Sequence, residues 1–239
     1  MDGTNPTGEN DVIRRILPLG GILAGLLALA PAAHAAQNGG VCSLDGNATL
    51  TPGLSSNQPT PDPSGPGVDW GPAFTYSFSG TLSGCTGASA AGPAAPAVPP
   101  GADGTISAGL PVKVNGVDYL PFDTPTGNGG CTGSHTDGVS LIVWADGKLS
   151  AVSYSTDGAA AAIALTGSFL NSITLTRKNL DANGNVVKDT FTGLRYGGDY
   201  SGGPLAFHPM DPQNCVAEAG GTGVTTAPIS GAIGHGNYQ

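Results

Sequence analysis

The sequence predicts an all-β fold: an antiparallel β-sandwich, with a β-barrel as the alternative, carrying long Pro/Gly-rich loops and two disulfides. Three observations lead there. Apolar residues recur with a period of two rather than 3.6. With 40 Gly and 20 Pro in 239 residues, about a quarter of the chain punctuates the backbone. No segment shows the helical periodicity that would supply the crossovers of a parallel sheet.

The elements follow in chain order. Weak strands are expected at Asn47–Thr51, Thr105–Ala108 and Val112–Tyr119. Between the first two, Ala73–Leu82 alternates Phe74, Tyr76 and Phe78 against Thr75, Ser77 and Ser79, the pattern of a half-buried strand. Val139–Ala145 and Leu149–Ser155 flank Asp146-Gly147-Lys148, a hairpin signal. Ala159–Ala162 favours a helix by propensity, but Gly158 and Gly167 bracket it and the alternation continues, so Ala161–Thr166 reads as strand. A second hairpin joins Ser172–Arg177 to Val186–Leu194 through Asn183-Gly184. Leu205–His208, Gly223–Thr226 and Ile229–Ala232 complete the set. Ser55–Pro72 and Gly92–Gly101 are Pro-rich loops, and the pieces they delimit are too small for cores of their own. Residues 36–239 therefore read as one domain.

Composition excludes whole classes of function. Eight Lys and Arg against a net charge of -9 cannot supply the basic stripe that nucleic acid needs. Residues 1–35 read as a secretory signal peptide: Arg14-Arg15, an apolar run Ile16–Ala30, then small residues Ala33 and Ala35 at the cleavage positions. Asp2, Glu9 and Asp11 are out of place in such a leader and point to a translation start near Val12. Ile13 stands where the twin-arginine route wants Ser or Thr, so general secretion is preferred and the product is expected outside the cell, without stable membrane insertion. Four cysteines, Cys42, Cys85, Cys131 and Cys215, all follow the leader. An even count in an exported chain implies two disulfides. Of the three possible pairings, Cys42–Cys85 with Cys131–Cys215 is favoured because it staples each half of the chain separately.

Chemistry-bearing patterns are few. Gly198-Asp199-Tyr200-Ser201-Gly202-Gly203-Pro204 resembles a serine-protease nucleophile segment with a tyrosine inserted, and it reads as a Gly-rich turn. Asp181-Ala182-Asn183-Gly184-Asn185 resembles the opening of a calcium loop but lacks its later Gly and Glu, so a hairpin turn is preferred. His135 with Asp137, and His208 near Asp211, are low-ranking candidates for acid–base chemistry or ligand contact. Asp137 and Asp157 would make a glycosidase-type pair, yet Asp103, Asp137, Asp146 and Asp157 each precede Gly and read as turn residues. Trp144 ends an apolar strand and belongs to the core. Trp70, in a Pro-rich loop, is the aromatic candidate for binding. No catalytic, metal or cofactor residues are assigned.

The order of motifs resembles that of secreted Gly/Thr-rich, β-rich proteins of actinobacteria. The features are Cys42 with Asn47–Thr51 and Pro52-Gly53-Leu54, then Phe78–Cys85 and Cys131-Thr132-Gly133. After them come Trp144–Gly147, Gly203-Pro204-Leu205, Asp211-Pro212 and Cys215. The resemblance implies an exported β-rich domain and brings no catalytic residues. The resulting expectation is a non-catalytic extracellular protein with a structural, surface or ligand-binding role and no cofactor. An unidentified extracellular protein or polysaccharide would be its partner. The alternatives are a secreted hydrolase of polysaccharide or protein using His135 and Asp137, and an inhibitor or host-interaction protein presenting the Pro-rich loops.

Overall fold

The computed structural model describes residues 40–54, 60–61, 67–86, 102–159, 161–208 and 223–236. The expected leader, Gly92–Gly101, Cys215, Asp211 and most of Ser55–Pro72 lie outside them. Every regular element among the described residues is a strand.

Eight strands make the body. They are β1 (Gly40–Leu54), β4 (Ala73–Ser83), β5 (Gly104–Ala108), β9 (Gly133–Trp144), β10 (Leu149–Ala159), β11 (Ala162–Phe169), β14 (Tyr200–Phe207) and β15 (Val224–Gly236). They pair antiparallel in the order β1-β15-β14-β11-β10-β9-β5-β4, and β4 pairs again with β1. The sheet closes on itself. This corrects the sandwich expectation: the fold is an antiparallel barrel, the alternative reading, because β1 bonds on both edges, to β15 along Gly40–Thr49 and to β4 along Ser43–Thr51. Sandwiches and barrels share one buried face per strand, so alternation cannot separate them.

The ladder is staggered. From Gly40 it passes through His235, Ser201, Gly167, Tyr154 and Gly138. Continued at the registers of β5 and β4, it reaches Tyr76 and then Leu50, ten residues along β1 from its start. An eight-stranded barrel staggered in this way leaves an interior that side chains fill or that one small ligand occupies. The short β5 spans only part of the gap between β4 and β9. A strand not expected from the sequence, β8 (Thr126–Gly130), fills the rest by pairing with Ala73–Thr75 and with Gly133–Asp137.

Inward positions are apolar and outward ones polar. In β1, Leu44, Ala48 and Leu50 are buried, while Ser43, Asp45, Asn47 and Thr49 are exposed. A lipid-spanning barrel carries the reverse alternation. Gly46 and Gly80 face each other across β1 and β4. A Cβ at either would come within 3 Å of the Phe78 ring tip (2.6 and 2.9 Å), so these strand glycines make room for an aromatic lying across them.

A second core covers one outer flank. Hairpins β6 (Val112–Val114)–β7 (Val117–Tyr119) and β12 (Ser172–Thr176)–β13 (Lys188–Thr192) supply Val114, Tyr119, Ile173 and Leu175. These pack with Leu141, Val143, Leu149 and Ala151 of β9 and β10. That explains the unbroken apolar run at Val139–Ala145, whose two faces serve two cores. Val112–Tyr119 is thus a hairpin and not one strand, because Asn115 and Gly116 both take positive φ (48° and 83°), the two-residue turn that suits strand twist. A small pair, β2 (Thr60–Pro61) with β3 (Val68–Asp69), precedes Trp70.

Cys42 and Cys85 are bonded to each other, tying the start of β1 to the end of β4. Cys131 is also in a disulfide, and Cys215, the partner expected for it, lies outside the described residues. One disulfide therefore lies wholly within the described residues, where two had been expected for the chain.

Candidate functional site

The barrel encloses a cavity in which the centre of a water molecule can range over about 100 Å³. Its walls are mostly aliphatic and aromatic, and no Asp, Glu, Lys, Arg or His is among the described residues lining it. One end is sealed. There the indole of Trp144, 2% exposed, and the ring of Phe169, 4% exposed, meet Tyr196 edge-on at 5.7 and 5.5 Å. Tyr196 takes a left-handed φ of 64°, rare for a bulky side chain, and its ring stacks on His235 at 3.8 Å. Towards the other end, Ser134, Thr136, Thr156, Ile163 and Ile229 face the lumen and stay partly exposed, so the cavity has its mouth there.

Polar groups in the lumen are hydroxyls, and four of them form a chain. Tyr76 and Tyr154 oxygens lie 2.5 Å apart, Tyr76 donates to Thr136 at 3.3 Å, and Thr136 meets Thr156 at 2.6 Å. Alternation places all four on the inner face. Burial pushes both tyrosine hydroxyls towards higher pKa, and they stay neutral. Sequence reasoning used Tyr76 only as a strand marker and missed this cluster. The available signal was a tyrosine at a core-facing position, whose O–H needs a buried partner.

Ser201 sits in the same lumen, fully buried, with no hydrogen-bond partner for its oxygen. Tyr200–Phe207 is barrel strand β14, so the reading of Gly198–Pro204 as a turn holds at Gly198 and is corrected over Tyr200–Pro204. Ser201 lies directly opposite His235, whose Nδ1 is 3.4 Å from Asp199 Oδ2. That set looks like a nucleophile relay but is wired differently. His235 Nε2 faces β1, 2.7 Å from where a Cβ on Gly40 would stand, on the side away from β14. Nothing bonds Ser201 to the imidazole, so nothing activates it.

On the outer face, Trp70, His135 and Asp137 converge. Asp157 joins them because it is the register partner of His135. His135 Nδ1 lies 2.7 Å from Asp157, its Nε2 lies 3.0 Å from Asp137, and Trp70 stacks over its ring at 6.2 Å. Asp137 and Asp157 are strand residues, which corrects their reading as turn residues. With a carboxylate at each ring nitrogen the protonated imidazole is favoured, and both nitrogens are engaged and not open to a substrate. Among the described residues, no His/Cys/Asp/Glu trio has metal-ligand geometry. His208 is exposed at the end of β14, apart from this cluster, and only its backbone is engaged, with Pro228. Asp181 accepts from the backbone amides of Asn183 and Asn185 at 2.8 Å each, the work of a hairpin turn.

The two histidines depart from the ordinary value in opposite directions. The hydrogen bond to Asp157, helped by the charge of Asp137, raises His135, while burial lowers His235 against the pull of Asp199. What His135 contributes to stability is therefore complete below about pH 6.5 and fades as pH rises through its folded pKa. The contribution of neutral His235 is present above that value and fades as pH falls. Proton-detected titration is expected to place His135 above and His235 below the usual histidine range. Asp157→Asn should bring His135 back down and leave His235 unmoved. Matching midpoints near 6.5 for both would contradict this geometry.

The chain matches no protein-family model, and no curated protein matches it in sequence.

Proposed function

We propose that this protein is an exported binding protein that takes a small apolar molecule into the lumen of its barrel. The observation that carries the reading is the cavity: apolar walls, with the rings of Trp144, Phe169 and Tyr196 packed at one end of the barrel and partly exposed lining residues towards the other. Pockets of this kind suit ligand capture, because apolar burial drives binding and a few convergent polar groups orient the guest. The Cys42–Cys85 disulfide suits an oxidising compartment, and the leader read at 1–35 supplies the route out. Binding is preferred over hydrolysis because the buried serine lacks an activating base and His135 is held at both nitrogens.

Apolar cavities of about 150 Å³ in other proteins admit benzene or xenon. Dissolved xenon or benzene is therefore expected to shift the methyl resonances of Leu44, Ile142 and Val152 in the lumen while leaving Leu141 and Leu175 of the outer core in place. Ala48→Leu fills the lumen from a buried wall position and should abolish the shifts in a protein that stays folded. Absence of any lumen shift at saturating xenon, or equal shifts in both cores, would overturn the reading.

A further inference from the structure

We infer that the lumen selects a neutral, compact molecule bearing one hydrogen-bond acceptor, such as a ketone, aldehyde or ester, with that acceptor docked on the Tyr154–Tyr76–Thr136–Thr156 hydroxyl chain. The inference rests on the binding role proposed above. Proton counting carries it. Each hydroxyl owns one proton, so four hydroxyls bring four, and the chain has three links. Tyr76 donates to Thr136, so Tyr154 donates to Tyr76 and the spare proton falls on Thr136 or Thr156, the partly exposed hydroxyls on the mouth side of the lumen. An apolar guest would displace water from that O–H and leave it unmet, which is costly, whereas a ligand oxygen accepts the proton in water's place.

Charge complementarity sets the rest. With no cation among the described lining residues, a carboxylate guest would surrender its hydration without a counter-charge. Asp123 and Asp137 make matters worse for an anion, since their fields already oppose negative charge at Tyr76 and Tyr154. An ammonium guest would likewise find no carboxylate on the described walls. A carbonyl suits the chain better than a bare hydrocarbon because the hydrocarbon leaves the spare proton unmet.

Cyclohexanone, methylenecyclohexane and cyclopentanecarboxylate form the test set: an acceptor, its near-isosteric hydrocarbon and an anion. Affinities come from lumen methyl shifts. In the variant carrying Tyr76→Phe, Tyr154→Phe, Thr136→Val and Thr156→Val together, the cyclohexanone-to-methylenecyclohexane affinity ratio should fall roughly tenfold relative to the natural chain. Removing every partner at once with groups of similar shape leaves no orphaned hydroxyl, which favours a folded variant. A readout on the natural chain alone stands beside it: the carbonyl carbon of ¹³C-labelled cyclohexanone should move downfield on binding, as hydrogen-bonded ketones do. An unchanged ratio, an unmoved carbonyl resonance, or carboxylate binding as tight as ketone binding overturns this inference while lumen binding stands. If none of the three enters the folded protein, the binding role falls with it.

Discussion

Trp144→Ala is expected to lower the unfolding free energy by about 3–5 kcal/mol, the range for deleting a large buried aromatic. The indole is 2% exposed at the sealed end of the barrel and touches several structures at once. Its N–H donates to Ser150 Oγ at 2.8 Å, and that hydroxyl donates on to the Arg195 carbonyl, also at 2.8 Å. Arg195 holds its guanidinium 5.2 Å from the indole ring centre, and Tyr196 packs edge-on. Truncation therefore opens a cavity and loosens the Arg195–Tyr196 turn that closes the barrel floor. Trp144→Phe separates the two effects, keeping much of the volume while removing the donor, at about 1–2 kcal/mol. Urea unfolding should show the midpoint falling with an unchanged slope. A loss below about 1 kcal/mol for the alanine variant would show that the floor is no part of the cooperative unit.

Removing the Cys42–Cys85 bond, by Cys42→Ala with Cys85→Ala, should cost about 4 kcal/mol in the chain-entropy account, given a separation of 43 residues. Such a loss is large beside the 5–15 kcal/mol that holds most domains together. The cystine joins neighbouring staves near the barrel floor, where β1 and β4 are already paired from Ser43 and Ser83 onward. Its effect should therefore come through the unfolded chain. The variant should keep its barrel and its lumen methyl shifts while unfolding at lower urea. Cys42 is buried but Cys85 is partly exposed, so reductant has access to the bond through Cys85, and reduction should lower the urea midpoint. Rapid reduction with no change in the urea midpoint would show that the bond contributes little.

Much of the barrel was legible strand by strand. Phe74, Tyr76 and Phe78 announced β4, Asp146-Gly147 announced the β9–β10 hairpin, and Asn183-Gly184 announced the β12–β13 hairpin, because local turn chemistry and a period of two are written within a few residues. Short-range signals failed where a strand is held by its neighbours. β8 has three glycines in five residues and no apolar alternation to reveal it, and it fills the gap that the short β5 leaves between β4 and β9. Tyr200–Pro204, the start of β14, looks like a turn by its glycines. Yet a Cβ on Gly203 would fall 2.0 Å from the Ala232 carbonyl, so the glycine serves a close strand contact. Trp70, His135 and Asp137 were singled out for their chemistry, and Asp157 was weighed only as a carboxylate pair with Asp137. Only the β9–β10 register set Asp157 against His135 and showed the imidazole clasped on both sides.

Taken alone, the amino-acid order determined the class of fold, the alternation of its faces, its tight turns and a tally of cysteines suited to an oxidising compartment. Tertiary structure decided closure, the second core, the hydroxyl chain and the separation of Ser201 from His235. The physical reason is one of range. Periodicity and turn preference act between residues a few positions apart, whereas barrel stagger and the meeting of Tyr76 with Tyr154, 78 residues distant, depend on which ladder each strand joins.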